Sequence, residues 1–123
     1  MLYEVLVAKI HNAVVTERQL YYGGSITVDE EILERAGLFS YQRVTVVNLN
    51  NGARFDTFLI RGRRKSGEVV LNGPAARLGE VGDRIHILAY ALADENELSS
   101  GRTKVVSLDE KNRIVGEETA KWV

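Results

Sequence analysis

Gly24 and Ser25 are the residues whose types and order could do chemistry on the chain itself, and they form the only Gly-Ser pair in the sequence. They follow Gly23 at a point where the pattern predicts a turn that leads into a strand. Consecutive glycines adopt backbone conformations that other residues rarely take, so the Ser25 hydroxyl could reach the carbonyl carbon of Gly24 and cut the chain. The alternative is a flexible turn that ends in a serine, and the dipeptide taken alone favours that alternative.

Side chains that could bind an anion occur at Lys9, His11 and Arg54. Lys9 and His11 lie two residues apart in a predicted strand and therefore share one face. They form either a cationic wall for an anionic substrate or the polar face of an edge strand. Arg54 follows a predicted turn and either adds to such a cationic wall or is a solvated cross-strand partner. Each residue considered by itself favours the structural role.

More familiar catalytic patterns are absent from the sequence. No serine lies in a nucleophile-elbow motif, so a triad of Ser25, His11 and an aspartate is poorly supported. His11 and His86 are isolated in the sequence, which argues against a metal site. Neither a Walker loop nor a dinucleotide-binding fingerprint occurs.

The composition predicts a single domain over residues 1–123 without disulfides, because the chain has no cysteine. Its 16 basic and 17 acidic residues give no overall attraction to nucleic acid or to anionic membranes. The basic run at residues 61–65 is interpreted as a solvated loop. Because we find no signal-peptide layout and no apolar run near the roughly 20 residues of a membrane helix, we expect a cytoplasmic protein with no nucleic-acid or membrane partner.

The elements that must position these residues are mostly strands. Short segments rich in valine and isoleucine predict strands at residues 5–15, 25–28, 44–49, 54–60, 68–71, 84–91 and 104–108. One helix is expected over residues 29–37, where Asp29 can cap the first turn and Gly37 can end it. Many short strands with few helical residues predict a mainly β fold, a small closed barrel.

The connections follow from turn chemistry. Asn51-Gly52 predicts a tight hairpin turn, and Pro74 begins one or two helical turns. The polar segment from Asp109 onward is expected to be mobile.

Strand alternation separates the side chain of Arg54 from that of Thr57. Within residues 54–60 a period of two places Arg54 and Phe58 on one face and Thr57 on the other. Arg54 and Thr57 would then serve different sides of a site.

Several short motifs occur together in one order and cover nearly the whole chain. They are Ala8-Lys9-Ile10-His11, Thr16, Leu20 to Ser25, Asn51 to Phe55, Asn72-Gly73, Val81-Gly82-Asp83 and the 105–115 segment. In this combination the chain closely resembles the bacterial pyruvoyl-dependent aspartate 1-decarboxylases. The resemblance implies a double-psi β-barrel with short helices, assembled as a homotetramer with active sites between neighbouring subunits.

By this resemblance the chain is an inactive precursor that cleaves itself between Gly24 and Ser25 into residues 1–24 and 25–123. The Ser25 hydroxyl attacks the Gly24 carbonyl to form an ester, elimination splits the chain, and hydrolysis leaves a pyruvoyl group on the larger fragment. That group takes the place of pyridoxal phosphate, and no metal is implied.

The resemblance also implies roles for the surrounding residues. It assigns support of cleavage to Thr57, Asn72 and His11, and substrate binding to Lys9, Arg54, Gly73 and Ala75. The pyruvoyl ketone condenses with the substrate amine as a Schiff base, and a planar guanidinium suits capture of the substrate carboxylate. The implied reaction converts L-aspartate to CO2 and β-alanine, a precursor of pantothenate.

Three positions depart from the family's pattern. Phe58 stands where the family has a tyrosine that donates a proton, and Tyr22 or a water would have to replace it. Pro74 removes a backbone N–H after Asn72-Gly73, and Gly23 replaces a larger residue before the cleavage site. These departures leave open a related amino acid as substrate, an unprocessed barrel that acts as a binding module, and the need for a maturation factor.

Overall fold

Strands account for most of the chain in a computed structural model that describes residues 1–123. The strands are β1 (Tyr3–Val14), β2 (Glu17–Gln19), β3 (Ser25–Asp29), β4 (Arg43–Asn48), β5 (Arg54–Gly62), β6 (Val69–Asn72), β7 (Arg84–Ala93), β8 (Arg102–Leu108) and β9 (Ile114–Lys121). The helices are α1 (Glu30–Ala36), α2 (Glu95–Leu98) and a 3₁₀ helix at Gly73–Arg77. None of these helices has the length and apolar character needed to cross a lipid bilayer. The predicted mainly β fold is confirmed.

The nine strands form one sheet in the order β2-β6-β3-β5-β4-β7-β1-β8-β9. The end of β1 is joined to the start of β6, because the Thr16 N–H donates to the Val69 carbonyl at 2.8 Å and the Val69 N–H donates to Thr16 Oγ1 at 3.0 Å. This connection brings distant parts of the sheet together around one core of 21 buried residues. The architecture agrees with the small β-barrel expected from the sequence.

β1 lies inside the sheet, with β7 antiparallel on one side and β8 parallel on the other. The interpretation of Lys9 and His11 as the polar face of an edge strand is therefore wrong. Ala8, Ile10 and Ala13 of this strand are fully buried, whereas Lys9 and His11 are half-buried on the outer face.

α1 begins and ends where the sequence predicts. The Asp29 side chain accepts a hydrogen bond from the Glu31 N–H at 2.8 Å and so satisfies one free donor of the first turn. Gly37 ends the helix in the left-handed region with φ of 73°.

The prediction of a mobile segment from Asp109 onward is wrong. β9 pairs with β8 antiparallel at the edge of the sheet, so its polar side chains stand on a strand that is hydrogen-bonded along one side. Glu117 of β9 forms ion pairs with Arg35 and Lys104, and the indole N–H of Trp122 donates to the Leu6 carbonyl at 3.0 Å. Polar composition misled the prediction because an exposed strand needs only a backbone partner. β2 and α2 were also not predicted.

The prediction of a tight two-residue hairpin turn at Asn51-Gly52 is wrong, because the connection there is longer. The connection spans residues 49–53, and the Gly52 N–H donates to the Asn48 carbonyl at 2.9 Å. Asparagine side chains hold this wider loop, since Asn48 Oδ1 accepts from the Asn50 N–H and Asn51 Oδ1 accepts from the Ala53 N–H. Such side-chain turns replace the two-residue turn that the dipeptide predicts.

Candidate active site

Ser25 is the first residue of β3, and its side chain is buried, with 4% exposed. It lies opposite Asn72 in the antiparallel pairing of β3 with β6. The Asn72 side-chain amide donates to Ser25 Oγ at 2.9 Å and to Thr27 Oγ1 at 2.9 Å. Asn72 itself is 2% exposed, so its contact with Ser25 is shielded from water. The predicted association of Ser25 with Asn72 is thus present as a direct contact.

Gly73 fixes the backbone just before Ser25. Its φ is +65°, and a Cβ built on it would lie 2.4 Å from the Tyr22 carbonyl oxygen and 3.0 Å from the Gly24 nitrogen. Only a glycine allows this approach. The backbone just before the Gly24-Ser25 bond therefore packs directly against Gly73.

Gly23 is not required by packing, because a Cβ there would meet no atom within 4 Å. A Cβ at Gly24 would stand 3.7 Å from the Pro74 Cδ, which is ordinary contact. The ring of Pro74 therefore lies beside the cleavage glycine without excluding a side chain from it.

A pocket of about 250 Å³ opens to solvent next to Gly24. Its walls include Thr57, Phe58, Pro74 and Ala75, and most of its surface is apolar. Thr57 is 9% exposed, whereas the Phe58 ring is 50% exposed. Two departures from the family's pattern, at residues 58 and 74, thus line one small pocket beside the predicted cleavage site.

The alternation of β5 agrees with the prediction. Thr57 points toward the core, and Arg54, Asp56 and Phe58 are exposed. Asp56 is already bonded by the Thr45 hydroxyl and the Arg43 guanidinium, and these contacts lower the pKa of its carboxyl. Arg54 forms no ion pair or side-chain hydrogen bond within the chain, which leaves its guanidinium available.

His11 stacks on His86 with ring centroids 4.3 Å apart and an angle of 14° between the planes. Burial lowers the pKa of both rings, the nearby positive charge of Lys9 lowers it further, and the pKa of His86 falls to about 4. Both rings are therefore neutral at neutral pH. Because the folded chain resists their protonation, the contribution of His86 to stability is present above pH 6.5 and is lost as the pH falls toward 4.

The chain places its predicted site residues in two groups. One group lines the pocket or lies directly beside it and consists of Ser25, Gly24, Thr57, Asn72, Gly73 and Ala75. Lys9, His11 and Arg54 lie on the outer face of the sheet and do not line that pocket. Tyr22 is 58% exposed and also does not line it, while its backbone carbonyl lies against Gly73.

Sequence reasoning did not identify His86 or Thr27 as part of either group. Both depend on pairing between strands that are distant in the chain, which a single sequence does not specify. The alternation around His86 within the predicted strand 84–91 was the available signal, because it places this residue on the polar face. No group of three or more His, Asp or Glu side chains is arranged to hold a metal ion.

Comparison with known proteins decides the family. The family model described as "Aspartate decarboxylase" matches residues 1–115. This chain belongs to the aspartate decarboxylase family. The aspartate 1-decarboxylase of Caldicellulosiruptor saccharolyticus is 52% identical over 94% of this chain and 90% of that protein. The aspartate 1-decarboxylase of Leptospira biflexa is 51% identical over 92% and 97%, and that of Bacillus pumilus is 45% identical over 96% and 95%.

For a member of the aspartate decarboxylase family, the residues around Ser25 fit a pyruvoyl group. Such a group would be made from Ser25 itself, at the buried start of β3. The Asn72 amide beside Ser25 is a donor of the kind that a carbonyl oxygen could accept from. Gly73 and Gly24 themselves carry no side chain at this point, and the absence of one at Gly73 allows the close backbone approach.

Proposed function

We propose that this chain is a self-processing aspartate 1-decarboxylase that converts L-aspartate to β-alanine and CO2 with a pyruvoyl group made from Ser25. The observation that carries the proposal is the buried contact between Ser25 Oγ and the Asn72 amide, which lies beside the pocket at Gly24. Membership of the aspartate decarboxylase family supports the same activity.

The self-cleavage step uses only atoms of the chain and water. Ser25 Oγ forms a bond to the Gly24 carbonyl carbon, the amide C–N bond breaks, and an ester and a free amine result. Loss of the Cα proton of residue 25 then breaks the ester bond between Oγ and Cβ, releases Gly24 as a carboxylate and leaves a Cα–Cβ double bond. After a proton adds to Cβ, water replaces the nitrogen of residue 25, and ammonia leaves. Donors fixed beside the reacting carbonyl would stabilise its developing negative charge, and Thr57 and Asn72 are the proposed contributors.

In decarboxylation the pyruvoyl group supplies a carbonyl that withdraws electrons from the substrate. Lys9 and Arg54 are the proposed carboxylate ligands, because both are cationic and neither is paired within the chain. His11, two residues from Lys9, is proposed to help the self-cleavage step instead. Gly73 and Ala75 complete the site, Gly73 by the close backbone approach and Ala75 by lining the pocket.

A homotetramer with active sites between subunits is part of this proposal. The pocket at Gly24 opens to solvent, and the unpaired Lys9 and Arg54 lie on an outer face of the sheet. A neighbouring subunit that presents this face to the pocket would complete the site. The cytoplasm is the proposed location. Cleavage of the purified chain by itself would show that no maturation factor is needed.

The experiment is an intact-mass measurement on the purified chain before and after prolonged warming. We expect two fragments, residues 1–24 and residues 25–123, and labelling of the larger one by a carbonyl-reactive hydrazide. The Ser25→Ala variant is the matched control and stays full-length and unlabelled. Release of CO2 from L-aspartate by the processed protein completes the test. A chain that remains whole and unlabelled is instead a binding module.

A related amino acid is the second candidate substrate, because Phe58 and Pro74 both line the pocket. Parallel assays of CO2 release from L-aspartate, L-glutamate and L-asparagine by the same processed sample separate the two. Faster turnover of another amino acid than of L-aspartate would favour this candidate.

A further inference from the structure

Four side chains on the outer face of the sheet have hydrogen-bonding capacity that the chain does not use: Lys9, His11, Arg54 and His86. We propose that His86 is a further substrate-binding residue, whose Nε2–H donates a hydrogen bond to a carboxylate of the dicarboxylic substrate held by Lys9 and Arg54. This inference rests on the proposed function for the identity of the ligand.

Strand register places His86 between the two cationic residues. Arg54 of β5 lies opposite Val47 of β4, and Val47 lies opposite His86 of β7. With strands about 4.8 Å apart, the Cα atoms of Arg54 and His86 are about 10 Å apart across two strand spacings. The long side chain of Arg54 spans much of that distance, so the two can share one small ligand.

On its other side His86 faces a bulge in β1. Ile85 pairs with Ala13 and Ile87 pairs with Ile10, so His11 and Asn12 together oppose the single residue His86. Asn12 adopts φ of 63°, a conformation uncommon outside glycine. The bulge thereby places the His11 ring on the His86 ring and puts Lys9 two residues away on the same face.

The bulge also fixes which nitrogen of His86 carries the proton. The Asn12 backbone N–H donates to His86 Nδ1 at 3.1 Å, so Nδ1 is an acceptor. A neutral ring with an acceptor at Nδ1 carries its hydrogen on Nε2. That Nε2–H has no partner within the chain and is not shut off from solvent. The Nε2–H of His86 is therefore fixed as a hydrogen-bond donor and has no acceptor within the chain.

The charges around His86 support a neutral donor. Lys9 on β1 and His11 beside it disfavour protonation of the ring, and Glu118 on β9 lies across β8 from Lys9. Arg54 approaches from the side of β4. A neutral His86 adds a directed hydrogen bond to an anion without repelling the two cations that attract it.

The test uses succinate, a dicarboxylate without the amine needed for reaction, and the wild-type protein as purified. The chain has two histidines, so ¹⁵N-labelled histidine resolves both rings by NMR. We expect succinate to shift the His86 Nε2–H signal at a saturable concentration. His86→Phe keeps a flat ring against His11 but has no donor, and it should weaken succinate binding at least about tenfold, the scale of a hydrogen bond to a charged group.

Two further variants separate binding from folding. His86→Gln retains an N–H donor and should bind succinate within about threefold of wild type. Tyr90→Phe changes the same strand and the same outer face and should leave binding unchanged. In the aspartate assay, His86→Phe should raise KM by a similar factor while its extent of self-cleavage stays that of wild type.

Equal succinate affinity in wild type and His86→Phe would overturn the inference, as would a wild-type protein that does not bind succinate. These results are independent of catalysis. Succinate binding that depends on His86, in a protein that neither cleaves itself nor releases CO2, would retain the carboxylate site and reject the proposed function.

Discussion

Phe58 puts an aromatic ring without a hydroxyl at the pocket beside Gly24. By the family's pattern a tyrosine there returns a proton to the substrate, and loss of a general acid commonly costs about 10²–10⁴ in rate. We predict that Phe58→Tyr raises kcat for L-aspartate at least about tenfold. The measurement is CO2 release per mole of pyruvoyl group, which corrects for differences in processing.

Phe39→Tyr is the control for the Phe58 variant, because it adds the same hydroxyl to an exposed ring that does not line the pocket. It should leave kcat unchanged. If Phe58→Tyr also leaves kcat unchanged in fully processed protein, then another acid, such as Tyr22 or a water, already returns the proton.

The site residues differ in how far the sequence could predict them. Ser25 and Asn72 belong to motifs that recur at fixed spacing, and the structure brings them into contact. The fit of Gly73 against the Tyr22 carbonyl and the stack of His86 on His11 arise between remote segments. A single sequence contains no distance between such segments, so composition and spacing could not reveal these contacts.

At the scale of elements, the turn from β6 into the 3₁₀ helix presses Gly73 on the segment that precedes β3. We predict that Gly73→Ala abolishes self-cleavage or slows it at least about a hundredfold, because the added methyl group would displace the backbone that holds the reacting bond. An error of about 1 Å in a reacting geometry commonly costs this much. The extent of cleavage is measured by intact mass over time.

Gly52→Ala is a closely matched control for the Gly73 variant. Gly52 has φ of +75°, similar to the +65° of Gly73, but a Cβ there meets nothing within 4 Å. It should therefore show only the backbone strain of about 1–2 kcal/mol and cleave at the wild-type rate. Normal cleavage of Gly73→Ala would mean that the segment before Ser25 tolerates displacement.

The strands also show which features of the fold a local sequence pattern can predict. In β5 a period of two predicted which side chains point inward, because the alternation of a strand does not depend on its partners. The position of β1 inside the sheet and the pairing of β9 with β8 could not be predicted in this way. Both depend on which strand lies beside which, and polar β9 gave no apolar signal.

At the scale of the whole molecule, Asn112 ties together parts of the chain that are far apart in sequence. It is buried, its amide donates to the carbonyls of Val14 and Gly67 at 2.8 Å each, and its Oδ1 accepts from the Val14 N–H at 2.7 Å. We predict that Asn112→Ala lowers the free energy of unfolding by about 2–4 kcal/mol, because buried backbone groups lose their partners. Denaturant unfolding measures the change.

Asn96→Ala provides the comparison, since this asparagine lies exposed in α2. It should change the free energy of unfolding by less than about 0.5 kcal/mol. Should the two variants be equally stable, the end of β1 must be held by its strand pairing and the Thr16–Val69 hydrogen bonds alone.

Because β1 lies inside the sheet, cleavage would turn the single chain into a complex of two fragments. Residues 1–24 contain β1, which is bonded on both sides to strands of the larger fragment and contributes Ala8, Ile10 and Ala13 to the core. Cutting the chain at Gly24 would therefore leave two pieces that hold each other in place. Once unfolded, they would have to meet again by diffusion, so refolding of the processed form would be second-order and would slow on dilution. The uncut precursor would refold at a rate independent of concentration, as a single chain does.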